Sequence, residues 1–169
     1  MSRSGYVEDF GDEDDRWAQI RWRGAVASAI RGKRGQAMLR EVLAALDAMP
    51  EKTLAAHSLK NEDGDFCTLG ALGAARGLEL PQIDPLDEDE DISDMAAQMF
   101  GVSKALVAEI MWLNDETVSA WRYVEVEICG PIRYGSHKKS VRVYDPTVGA
   151  RRWHYMRNWV AGQIKPEAS

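Results

Sequence analysis

Cysteine is scarce in this sequence: Cys67 and Cys129 are the only two in 169 residues, and there are three histidines. His57, His137 and His154 hold no zinc-ligand spacing with the two cysteines, so neither a metal centre nor a cofactor is expected. Cys67 falls in an apolar segment where a free thiol usually packs as a small hydrophobe. Long apolar runs are missing too. No stretch reaches the length needed to cross a bilayer, and the acidic start from Glu8 to Asp15 is unlike a secretory leader. The expectation is a soluble protein of a reducing cytoplasm, without membrane contact. There is no excess of basic charge: 27 acidic residues against 21 basic ones leave a net charge of -6. That balance argues against wholesale binding to nucleic-acid phosphates. The chain also lacks an internal repeat and a convincing linker.

What is present is ordinary globular material, with 45% hydrophobic residues in a length suited to one domain. The stretch Asp65 to Gly77 is the expected centre. It is rich in Gly and Ala, and Gly70 and Gly73 each cost about 1 kcal/mol relative to Ala inside a helix. They therefore need a close neighbour, and Ile110 to Asp115 is the expected one. Around this centre the apolar spacing predicts about six helices. Residues 1–14 read as an irregular arm, 15–165 as one mainly helical domain, and 166–169 as a tail.

The first helix carries Trp17, Ile20, Gly24, Ala27 and Ile30 at three- and four-residue steps, which predicts its buried face. Arg16, Arg21, Arg23 and Arg31 lie outside that stripe, with Gly32 and Gly35 as breaks. The second helix, Gln36 to Met49, carries Leu39, Val42, Leu43 and Leu46. Asn61 to Asp65 is strong turn chemistry, and Gly77 a natural stop. Val124, Val126 and Ile128 then alternate with Tyr123, Glu125 and Glu127, and Val141 and Val143 with Arg142 and Tyr144. This period of two predicts an antiparallel hairpin over 122–144, packed on one side of the bundle. Trp153, Met156, Trp159, Val160 and Ile164 predict a last helix. The fold class is mainly α (α+β).

Several motifs bear on function. Ser93 to Leu113 resembles a helix-turn-helix, with Ala97 small, Gly101 in the turn, and Val107 and Ile110 holding the second helix to the first. That pattern signals a tight helical corner. Ser103, Lys104, Ala108 and Glu109, at the positions that would read bases, are a poor set for the purpose. The acidic run containing Asp87, Glu88 and Asp89 lacks the ligand spacing of a calcium loop, and reads as a solvated surface or a dock for a basic partner. His57 and Cys67 have no nucleophile signature. A pocket joining them to Asn114 and Asp115 would favour an enzyme, and a solid core around Cys67 would disfavour one. Asn114-Asp115 itself reads as a cap and turn. Most tryptophans are expected in the core. Trp22 lies between Arg21 and Arg23 off the apolar stripe, the composition of a contact surface. With Arg23, the hairpin-loop residues Arg133, His137, Lys138 and Lys139, and the acidic Asp87, Glu88 and Asp89, it makes the expected partner-binding set.

The blocks Ile20-Arg21-Trp22-Arg23-Gly24, Ile30 to Gln36, Cys67 to Gly73, Phe100-Gly101-Val102, Trp112 to Glu116 and Met156 to Val160 resemble, in the same order, a family of small proteins carried by tailed phages and prophages. Members of that family have no assigned activity, so the resemblance supplies no catalytic residue. It implies a phage accessory product that binds a host protein or nucleoprotein complex, defence machinery included, in the host cytoplasm. A DNA-binding regulator using 93–113 and an enzyme are the alternatives. Members of the family run more directly from the Asn-Asp block into the last helix, which marks the hairpin as an addition here.

Overall fold

The computed structural model describes residues 13–80, 92–128 and 138–166. Six helices and one hairpin follow in the order α1 (Glu13–Arg31), α2 (Lys33–Ala48), α3 (Thr68–Ala75), α4 (Ile92–Phe100), α5 (Lys104–Glu116), β1 (Trp121–Glu127), β2 (Lys138–Tyr144) and α6 (Val148–Gln163). The architecture is a mainly α bundle bearing a two-stranded antiparallel sheet.

α3 lies at the centre, and every residue from Thr68 to Gly73 is buried. The reason for its small residues differs from the sequence expectation. A Cβ at Gly70 would fall on the backbone carbonyl of Leu59, and one at Gly73 on the Leu80 side chain. The extended segment after α2 therefore presses on Gly70 and the chain just beyond α3 on Gly73, rather than α5 on either. Lys60 and Phe66 pair across the 61–65 turn, bringing Leu59 back to α3, where its carbonyl accepts the Cys67 N–H at 3.2 Å. α3 ends as expected: Gly77 sits at φ +67, and the Leu78 N–H returns to the Gly73 carbonyl at 2.9 Å.

α2 supplies one wall of the core through Met38, Leu39, Val42 and Leu46, against α6 and its Met156 and Val160. Gln36, buried at the start of α2, closes the end of the bundle. Its amide donates to the Ile30 and Gln163 carbonyls at 2.8 and 2.9 Å, and its carbonyl accepts the Lys165 N–H at 2.8 Å. One side chain thus ties together the ends of α1, α2 and α6. The helix break falls at Gly32 alone, because α2 already includes Gly35. α1 starts at Glu13, so the expected arm from 1 to 14 ends within the described helix.

α4 and α5 form the expected corner. Gly101 at φ +68 makes the turn, the Val102 N–H bonds the Ala97 carbonyl at 3.1 Å, and the Ser103 hydroxyl caps α5 by accepting the Leu106 N–H. α5 then runs under α1. No residue from Ala105 to Asp115 is exposed.

The hairpin corrects a further expectation. Its strands pair in register from Trp121 with Tyr144 to Glu127 with Lys138, but among the described residues no helix packs across either face. Only Val124, Val141 and Val143 are half-buried, and every other strand residue is exposed.

Candidate functional site

Polar groups converge on two very different places, one inside the bundle and one on its surface. The inner one is built from α5. Asn114 and Asp115 lie within the last turn of α5 rather than after it, and their bonds go to distant backbone, not to a local cap. Asn114 is 1% exposed. Its Oδ1 accepts the Thr68 N–H at 3.1 Å and the Thr68 hydroxyl at 2.9 Å, while its Nδ2 donates to the Ala55 carbonyl at 2.9 Å and to Asp115 Oδ1 at 2.8 Å. That uses the full bonding capacity of the amide. From the other side the buried Arg152 of α6 donates to the Asn114 carbonyl at 2.8 Å and the Leu54 carbonyl at 2.7 Å. Burial pulls the Arg152 pKa down, and the nearby Asp115 charge opposes that.

Asp115 also accepts the His57 N–H at 2.9 Å. His57 has φ +62, a left-handed conformation that a non-glycine residue adopts only when its surroundings enforce it. Its ring Nδ1 lies 3.8 Å from Asp115 Oδ2. Cys67 is the N-cap of α3 rather than a residue within it, and its Sγ accepts the Gly70 N–H at 3.4 Å. So His57, Cys67, Asn114 and Asp115 do line one crevice, as the enzyme reading required. The crevice measures about 20 Å³, room for one water rather than a substrate. Burial pushes the Cys67 thiol up to about 12, the reverse of what an activated nucleophile needs.

On the outer surface, α1 corrects the reading of Trp22. The face that packs runs through Ala18, Trp22, Val26 and Ala29, and the half-buried Trp22 indole donates to the buried Glu109 carboxylate of α5 at 3.4 Å. Trp22, Val26 and Glu109, with Trp159, Arg23 and Arg31, line an open groove of about 320 Å³. Of the stripe expected to be buried, Trp17 (59% exposed), Ile20 (48%) and Gly24 point outward, whereas Ala27 and Ile30 are half-buried and Ile30 packs against the core. The packed face is half alanine, so its hydropathy is weak beside Trp17 and Ile20. No family model matches this chain, and no curated protein or solved structure matches it either.

Of the other expected partner-binding residues, Lys138 and Lys139 are exposed at the start of β2, and Lys138 pairs with Glu125 at 3.4 Å. Arg133, His137, Asp87, Glu88 and Asp89 lie outside the described residues. The sequence reading missed the hairpin's aromatic face. Trp121 meets Tyr144 edge to face at 5.8 Å, Arg142 lies 4.6 Å over the Trp121 ring, and Tyr123 is 72% exposed beside them. Trp121 was expected in the core. Its period-two phase with Tyr123 was the available signal, since residues two apart share a strand face. Among the described residues, no cluster of three or more His, Cys, Asp or Glu could hold a metal ion, and no helix is long and apolar enough to cross a membrane.

Proposed function

We propose that the protein is a non-enzymatic phage accessory protein that docks stoichiometrically on a host protein or nucleoprotein complex, defence machinery being one such target, in the host cytoplasm. The observation that carries this reading is the uncovered hairpin. A two-stranded ribbon is marginal by itself in water, yet this one holds Trp121, Tyr123 and Tyr144 on one face and Val124, Val126 and Val141 on the other, with no helix across either among the described residues. Aromatic residues with an adjacent arginine are the composition of binding hot spots.

Two observations weigh against the alternatives. Of the four positions that would read bases, Ala108 and Glu109 are covered and only Ser103 and Lys104 are exposed, Lys104 paired with Asp94 at 3.0 Å, whereas a recognition helix must present several side chains to base edges. The crevice at Cys67 has neither substrate room nor a lowered thiol pKa. The test is co-purification from host lysate of wild type and of the triple variant Trp121→Ser, Tyr123→Ser, Tyr144→Ser, with and without nuclease. The expected result is a nuclease-resistant protein partner at fixed stoichiometry that the triple variant loses while keeping its helical circular dichroism. Equal recovery by both proteins would remove the hairpin as the docking element.

A further inference from the structure

From Arg16 onward, α1 and the start of α2 carry cations only. Residues 16–34 contain Arg16, Arg21, Arg23, Arg31, Lys33 and Arg34 and no acidic residue, in a chain whose net charge is -6. All six are exposed. None pairs with a carboxylate among the described residues. Between the arginines the helix surface is apolar: Trp17 and Ile20 are exposed on the same face as Gly24, and a Cβ at Gly24 would meet nothing within 4 Å. A glycine in mid-helix costs stability, and the fold offers no neighbour that needs it there. Trp17 to Gly24 spans about 10 Å along the axis, two turns of flat apolar surface. Arg21 borders it on one side, Arg16 and Arg23 on the other, and Arg31 lies beyond its end.

We propose that this outward face of α1 is a docking surface for an acidic amphipathic helix of a partner protein. It rests on the reading of the protein as a binding module and adds a surface separate from the hairpin. Charge complementarity selects the occupant. The four cations of α1, none paired with a carboxylate among the described residues, call for carboxylates, and the same four set a second α1 against this one by like-charge repulsion. The apolar centre then separates a protein helix from a polyphosphate, because phosphates leave Trp17 and Ile20 without a partner, whereas the i, i+3, i+4, i+7 row of a helix buries them. Gly24 is where such a helix comes closest to the α1 backbone.

The test is fluorescence anisotropy with the intact protein and three labelled probes: a helical peptide of about five turns with Leu on one face and Glu on the other, a duplex DNA about two turns long, and phosphatidylglycerol vesicles. The peptide is expected to bind, to weaken with salt, and to lose about tenfold or more in affinity in the Trp17→Ala, Ile20→Ala double variant, in Arg21→Glu, Arg23→Glu, and in Gly24→Gln. The hairpin triple variant should bind it like wild type, so failure of the hairpin reading and failure of this one are separable. Circular dichroism and thermal melts confirm that each variant is folded. No peptide binding, or binding unchanged by the α1 variants, would overturn the proposal. So would tighter binding to DNA or to vesicles, or a concentration-dependent dimer that the α1 variants abolish.

Discussion

The Asn114 centre and the outward face of α1 are opposite solutions to carrying polar and apolar groups on a helix. At Asn114 every side-chain donor and acceptor has a partner, and no buried side-chain polar atom among the described residues is left unsatisfied. On α1 four cations and two large apolar side chains have nothing opposite them among the described residues. The first arrangement uses polar bonds to fix backbone, joining the 54–57 segment, α3, α5 and α6. The second leaves its chemistry available. Stability and binding should therefore respond to different residues, and substitutions at the two places should not resemble each other.

The largest expected effect comes from Asn114→Ala. It strands the Thr68 N–H and the Ala55 carbonyl in a dry interior, and should cost about 4 kcal/mol, read as a lower midpoint in chemical denaturation with partner binding per folded molecule unchanged. Gly70→Ala should cost about 3 kcal/mol, because a methyl group there meets the Leu59 backbone rather than a movable side chain. If either variant melted like wild type, the clamp between the extended segment and α3 would not be what holds the centre.

Two glycine substitutions sharpen the contrast in opposite ways. His57→Gly should raise stability by about 1 kcal/mol by relieving the left-handed backbone. Gly24→Ala should raise it by about as much, since the added methyl meets nothing. A loss of stability at Gly24→Ala would mean that α1 is packed there after all.

Asp145 gives the comparison a pH dependence. It receives the Thr147 hydroxyl and N–H at 2.7 and 3.0 Å and Arg151 at 2.6 Å, and these hold its pKa down at about 2. A depressed carboxylate contributes stability that is present above its unfolded pKa of about 3.9 and lost as pH falls through about 2. Thermal melts of wild type should drop over that window, and Asp145→Asn should lose part of the drop. An unchanged acid limb in the variant would remove Asp145 as its source. The smallest expected effect is Trp17→Ala, within about 0.5 kcal/mol of wild type in the same melts, because an exposed side chain off the core contributes little to folding.

Much of the fold was legible locally. The α4–α5 corner follows from Gly101 and Ser103, the end of α3 from Gly77, and the strands from alternation over 123–128 and 141–144, all through short-range geometry. The candidate surfaces were less legible. Trp22 and Trp17 are five residues apart on one helix, and the choice of which faces the bundle depended on Glu109, 87 residues further along, which receives the Trp22 indole. Asn114 read as a cap because its true partners, Thr68 and Ala55, are remote in sequence.

The sequence by itself determined the helices, the break at Gly32, the two antiparallel strands and the clustering of cations over 16–34, since each depends on spacing, turn residues or composition within a few turns of chain. Only the tertiary structure decided which stripe of α1 faces inward, that the hairpin stands uncovered, and that Asn114 joins four segments. Those outcomes depend on which surfaces meet across long loops, where burial of a whole face outweighs the hydropathy of any one residue in it.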